Sequence, residues 1–293
     1  MKIALVTDST SVLTEEEVTA NQIHILPIPI MIGGKTYLEG IDIDASKLFQ
    51  LEANNTDFPK TSQPSLGSCL ELFEQLHADG YDAILAISLA SGISGCYQTW
   101  QNIARQHPKF GLVPFDSRFT VRLQGELVLA AAKMIANGWT MADMLDKLQE
   151  IRGSFDAIFV VDDLNNLSRG GRLSNAGAFI GSVLHIKPLL RFTGEGKIVA
   201  VEKIRSMKRA VARLEEIASE RTEKLPYRNQ LRLFVINSND LKQAQEILEF
   251  VKITFPGLPV TISEFSPVVA THLGEKSLAI AWMLDCQTLN LTK

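Results

Sequence analysis

The sequence predicts a two-domain α/β protein, with a mostly parallel sheet and flanking helices in the N-terminal half and a mixed α/β sheet in the C-terminal half. Three observations predict it. Short apolar runs alternate with stretches of helical spacing through the first half, the pattern of a parallel sheet joined by crossover helices. A hairpin signal, Thr193-Gly194-Glu195-Gly196, joins two apolar runs in the second half. A length of 293 residues with 46% hydrophobic content suggests two cores rather than one. The boundary is placed near residue 154, giving domains 1–154 and 155–293.

The elements follow in order. Ile3 to Val6 reads as a buried strand ending in Asp8-Ser9-Thr10. A helix starts from Thr14, with Glu15, Glu16 and Glu17 in its first turn, where acids suit the helix dipole. Residues 24–43 read as short strands and turns, with Gly33-Gly34 as a hairpin turn. Helical spacing returns at 45–53. After Thr61, the apolar positions Leu66, Cys69, Leu70, Phe73 and Leu76 mark a helix, with Pro64 at its first position. Ala83 to Ile87 is a strand, Cys96 to Ala104 a helix and Leu112 to Phe115 a strand. Helices near 122–136 and 141–152 close the first half. The second half opens with a strand over 155–161 and a Gly-rich turn, Arg169-Gly170-Gly171-Arg172. Strands at 186–193 and 197–204, a helix at 206–222, a strand at 231–236, a helix at 241–251 and strands at 260–264 and 278–283 follow.

Composition narrows the function classes. A net charge of −4 and a pI near 5.8 argue against nucleic-acid binding. Cys69, Cys96 and Cys286 are few, odd in number and far apart, so neither a disulfide framework nor a zinc site is indicated. His24, His77, His107 and His185 have no metal-ligand spacing. The opening apolar run is too short for a signal peptide, and the run from Ile23 to Ile32 is broken by Pro27 and Pro29. A cytoplasmic protein without cofactor is expected.

Two hydroxyl-rich turns carry the chemistry. Thr61-Ser62-Gln63-Pro64-Ser65 and Ser91-Gly92-Ile93-Ser94-Gly95 each feed a helix. A helix N-terminus offers free N–H groups and partial positive charge, so hydroxyls set there suit a small anion such as a carboxylate or phosphate. Neither turn holds the lysine of a P-loop. Asp8-Ser9, Ser88 to Ser94 and Asp116-Ser117 lie at the carboxyl ends of predicted parallel strands, where ligands bind in open α/β sheets. They are expected to gather in one crevice with the Thr61 turn. The competing reading is that these residues only cap helices.

At these motifs the chain resembles the DegV family, which includes the FakB-like fatty-acid-binding subunits of bacterial fatty acid kinase. The resemblance rests on Asp8-Ser9-Thr10-Ser11, Thr61-Ser62-Gln63-Pro64-Ser65, Ser91-Gly92-Ile93-Ser94-Gly95 with Tyr97-Gln98, Asp116-Ser117, Gly170-Gly171-Arg172-Leu173-Ser174 and Ile186-Lys187-Pro188. It implies a long-chain fatty acid buried between two α/β domains. The carboxylate would be held by Thr61 and Ser94, with Ser62 and Gly95 beside them, and completed by Arg172 and His272. It also implies a partner, a separate ATP-dependent kinase catalytic subunit that phosphorylates the bound acid for phospholipid synthesis. One segment departs from the family: H-T-G-P-G is replaced by His272-Leu273-Gly274-Glu275-Lys276.

Two further readings stand beside this one. A serine hydrolase or esterase could use Ser94 and His272, although a G-x-S-x-G elbow would need glycine where Cys96 stands. Lys203, Arg205, Lys208, Arg209 and Arg213 could meet an acidic partner face or transiently touch a membrane surface. The alternative for that cluster is a solvated helix face.

Overall fold

A computed structural model describes residues 1–55, 57–176 and 186–291 of the chain. His185 lies outside the described residues. The first half is built from β1 (Ile3–Asp8), α1 (Glu15–Ala20), β2 (Ile23–Leu26), β3 (Pro29–Ile32), β4 (Lys35–Leu38), α2 (Ala45–Asn54), β5 (Lys60–Thr61), α3 (Leu66–Ala78), β6 (Ala83–Ser88), α4 (Cys96–Gln106), β7 (Leu112–Asp116), α5 (Val121–Ala136) and α6 (Met141–Gly153).

β1 and β6 are buried at every position, which is why they read as unbroken apolar runs rather than alternating ones. They form the centre of a parallel sheet ordered β2-β1-β6-β7. β3, β4 and β5 make a small antiparallel sheet, and the β3–β4 hairpin turns at Gly33 and Gly34, both at positive φ. Thr14 and Glu17 close a capping box on α1. α3 begins at Leu66, not at Pro64, because the Ser65 hydroxyl accepts the Ser68 N–H and so makes Ser65 the N-cap.

The second half comprises β8 (Asp156–Val160), α7 (Asn165–Arg169), β9 (Lys187–Phe192), β10 (Ile198–Ile204), α8 (Met207–Glu223), β11 (Leu231–Asn237), α9 (Leu241–Thr254), β12 (Val260–Glu264), α10 (Pro267–Leu273) and β13 (Leu278–Leu284). These strands form a mixed sheet ordered β10-β9-β8-β13-β11-β12. Only the β11–β12 pair is parallel. The helices α7 and α10 are absent from the sequence reading. α7 has only five residues, and α10 only seven. Ser266 as N-cap followed by Pro267 is the one sequence signal that marks α10.

Alternate residues of this sheet face different cores. Ile158, Val160, Leu233, Val235, Ile280 and Trp282 pack against Leu214 and Ile217 of α8 and Ile247 and Val251 of α9. Ala157, Phe159, Phe234, Ile236, Ala279 and Ala281 face the other way and share one core with the first sheet. The two halves are therefore joined by an apolar interface, and the candidate site lies within it.

Two carboxylates fix the loops at the ends of the parallel strands. Asp8 is fully buried. It accepts the N–H groups of Thr10 and Leu89, the Thr10 hydroxyl and the Gln124 amide, and burial raises its pKa. Asp116 accepts from the Ser91 hydroxyl, the Ser91 N–H and the Arg118 N–H. Asp8→Ala is expected to leave the Leu89 and Gln124 donors unpaired and to cost about 3 kcal/mol. Equilibrium urea unfolding measures this, and an unchanged midpoint would remove Asp8 from that role.

Candidate functional site

A cavity of about 400 Å3 opens between the two sheets. All six residues assigned from the sequence (Thr61, Ser62, Ser94, Gly95, Arg172 and His272) line it at one end. The rest of the wall is mainly apolar. Phe119, Phe159 and Phe192 contribute rings, and Ala157, Ala279 and Ala281 contribute small residues from the inner face of the mixed sheet. Phe192 packs on both Phe119 and Phe159, with ring centroids 4.6 and 5.9 Å apart.

The polar end is assembled from four segments. Thr61 sits on β5, whose pairing with Ile30 of β3 fixes its direction. Ser94 precedes α4, and its hydroxyl accepts the Cys96 N–H at 3.2 Å, leaving its own proton free to donate. Gln63 bridges the two hydroxyl turns. Its amide donates to Thr99 on α4, and its side chain lies where a Cβ on Gly95 would stand. Glycine at 95 therefore leaves room for the bridging Gln63 amide. Gly92 has a similar role, since a Cβ there would collide with the Gly196 carbonyl of the β9–β10 turn.

Arg172 reaches across from the second half. Its Nε donates to the Ile93 carbonyl at 3.2 Å and its Nη1 to the Gly170 carbonyl at 2.5 Å. Among the described residues it makes no ion pair, and burial lowers its pKa from the ordinary arginine value. It remains a cation, half-buried and facing the cavity without a carboxylate from the described chain.

His272 projects from α10. Its Nε2 lies 2.7 Å from Thr61 Oγ1, while its buried Nδ1 has no partner and packs against Gly170. A proton on Nε2 avoids an orphaned N–H. In that tautomer Nε2–H donates to Thr61, and the Thr61 hydroxyl is free to donate into the cavity. Burial, together with the Arg172 charge, pushes the His272 pKa down to about 4. The imidazole is thus neutral at pH 7.

The structure separates the motifs that the sequence had grouped. Asp8, Ser9, Asp116 and Ser117 do not line the cavity, because neighbouring loops consume their hydrogen-bonding groups. Ser65 caps α3, so the capping reading holds there; Ser91 caps no helix and instead binds Asp116. A hydrolytic triad is not assembled: His272 Nε2 is engaged with Thr61, and the bond found for Ser94 Oγ is to the Cys96 N–H. Cys69, Cys96 and Cys286 are free and buried. Arg213 is held by Glu202, Glu216 and Glu220, as a solvated helix face would be. Sequence reading missed Gln63 as a bridge and Val121 as wall. Val121 is a β-branched residue held at φ +50°, a strained conformation placed at the cavity rim of α5.

A cavity between two sheets, with a mainly apolar wall and the Arg172 cation in its lining, has the chemistry to suit an amphipathic anion. The chain belongs to the DegV family: the family profile described as "Uncharacterised protein, DegV family" matches residues 2–285. A DegV domain-containing protein of Listeria monocytogenes is 37% identical, covering 97% of this chain and 99% of the relative. Two solved structures are similar throughout. One is DegV, a fatty acid binding protein from Bacillus subtilis, at 38% identity and a TM-score of 0.86, covering 97% of this chain and 100% of that one. The other is a fatty acid binding DegV family protein from Streptococcus agalactiae, at 36% identity and a TM-score of 0.89, covering 97% and 99%.

The His272 assignment carries a direct expectation. Its imidazole resonances should not titrate between pH 5 and 8, because a pKa lowered to about 4 leaves the ring neutral throughout that window. A midpoint near 6.5 in an NMR titration would contradict the buried, Thr61-bonded geometry.

Proposed function

We propose that the protein binds a long-chain fatty acid between a domain spanning residues 1–154 and one spanning 155–293. In this reading the tail lies along the apolar cavity wall, and the carboxylate meets Thr61, Ser62, Ser94, Gly95, Arg172 and His272. The observation that carries the proposal is the Arg172 guanidinium, without an ion-pair partner among the described residues, beside two free hydroxyl donors in a mainly apolar cavity. Two similar proteins described as fatty acid binding support it.

The energetics fit this division. Burying about fourteen methylenes of a 16-carbon chain contributes roughly 11 kcal/mol before ordering costs. The tail therefore supplies affinity, while the polar end offsets carboxylate desolvation and sets position. The protein then acts as a cytoplasmic carrier that performs no chemistry alone. It presents the carboxylate to a separate fatty acid kinase catalytic subunit, and the resulting acyl phosphate feeds phospholipid synthesis. Transient contact with a membrane surface serves ligand exchange. Among the described residues, no helix is long and apolar enough to cross a membrane.

Titration with palmitate tests the assignment. Thr61→Ala and Ser94→Ala are each expected to weaken affinity by about 1–2 kcal/mol, the scale of a hydrogen bond to a charged group. Equal affinity of both variants and the wild type would remove these residues from the site. Arg172→Ala is expected to impair phosphorylation of the bound acid by the kinase more than it impairs binding. Normal turnover by that variant would refute presentation through Arg172.

A further inference from the structure

Glu39 lies outside the cavity, yet it touches the wall from behind. It is 3% exposed, in the loop after β4. Its Oε1 accepts the Val268 N–H at 2.7 Å, and its Oε2 accepts the Ser9 hydroxyl at 2.5 Å. Ser266, the N-cap of α10, also bonds to it. Ser9 in turn accepts the Ile28 N–H at 3.0 Å. Ile28 and Val268 both line the ligand cavity. One carboxyl group therefore ties two wall positions from opposite ends of the chain, at the N-terminus of a helix whose peptide dipole favours a negative partner.

α10 is the part of the wall that Glu39 holds directly. It is a seven-residue helix that contributes Val268, Val269, His272 and Leu273 to the cavity, with Phe265 just before it. Gly274, at φ +80°, follows it. Behind Glu39 lies a separate surface cleft of about 380 Å3, which Ser9 and Glu39 line together with Leu13, Ile25, Pro27 and Ile41. The cleft offers the carboxylate a route to water if α10 swings away.

We propose that Glu39 is a positioning residue of the ligand site: through α10 it latches one wall of the cavity shut. The ligand part of this statement rests on the fatty acid reading above; the latch itself does not.

The latch carries a sign with pH. Burial pulls the Glu39 carboxyl up from 4.5 to about 7, with the nearby Asp8 charge adding to the rise. A carboxyl released to water returns to the ordinary value, so the closed wall binds the proton more tightly than the open one. Opening is then favoured as pH rises from 4.5 to about 7 and levels off above that. Other groups face the same elements. Glu52 on α2 is raised to about 7 by burial and by Glu275, and it acts in the same direction. Glu275 accepts from Asn239, and Glu15 lines the cleft. His272 stays neutral, and Arg172 stays charged. Glu39→Gln removes only the Glu39 part of the profile. Its amide reproduces the protonated acid, accepting from Val268 and donating to Ser9.

Amide hydrogen exchange of Val269 to Leu273, corrected for intrinsic rates, tests the latch without ligand. In the wild type, opening is expected to increase with pH, with Glu39 alone contributing up to about 300-fold. Glu39→Gln should show a smaller pH dependence and stronger protection at pH 7.5 than the wild type. Glu39→Ala should lose protection at every pH. Release of bound palmitate to an acceptor vesicle of phosphatidylcholine should follow the same order. Wild-type protection in Glu39→Ala, or an unchanged pH dependence in Glu39→Gln, would overturn the proposal. If palmitate does not bind the wild type, the fatty acid reading fails, and the exchange experiment still decides the latch.

Discussion

A half-buried guanidinium without a carboxylate partner is the constraint on which the candidate site depends. Arg172 loses hydration in its position between the two halves, and the described chain answers it only with the carbonyls of Ile93 and Gly170. Carbonyl dipoles satisfy two of its donors but do not neutralise its charge. An anion is the natural complement. Two hydroxyls at that end can donate as well: Ser94 has its proton free once it has accepted from Cys96, and Thr61 is freed to donate by His272. A cation and two hydroxyl donors beside an apolar wall suit an amphipathic acid better than a neutral lipid.

The fold serves that arrangement by packing two sheets without filling the space between them. Alanines at 157, 279 and 281 on the inner face of the mixed sheet leave room where larger residues would close the core. Phenylalanines at 119, 159 and 192 border the same space. Glycine at 92 permits the contact that brings one hydroxyl turn against the second half, and glycine at 95 leaves room for the Gln63 amide between the turns. Asp8 and Asp116 hold the loops in place from outside the cavity. In this molecule the acids build the scaffold and the donors face the ligand space.

Much of this was legible in the sequence. Buried parallel strands announce themselves as apolar runs, so β1, β6 and β7 were placed by pattern alone, and the hairpin of β9 and β10 by its turn. The hydroxyl turns were visible because Ser, Thr and Gly before a helix have a mechanism attached. What remained hidden depends on long-range packing. β8 and β13 are buried on both faces, so no alternation told which residues look into the cavity. Asp8 and Asp116 sat at the expected strand ends, yet their hydrogen bonds turn inward, which no spacing reveals. Glu39, in a glycine-containing loop, carried no signal in the sequence. Its burial comes from Val268, a residue 229 positions away in sequence.

The central claim is that the cavity holds a long-chain acid by its carboxylate. Mass spectrometry of an organic extract from the purified, denatured protein tests it most directly. The account predicts a long-chain fatty acid in stoichiometric amount. An extract without lipid, from a protein that also fails to take up added palmitate, would contradict it.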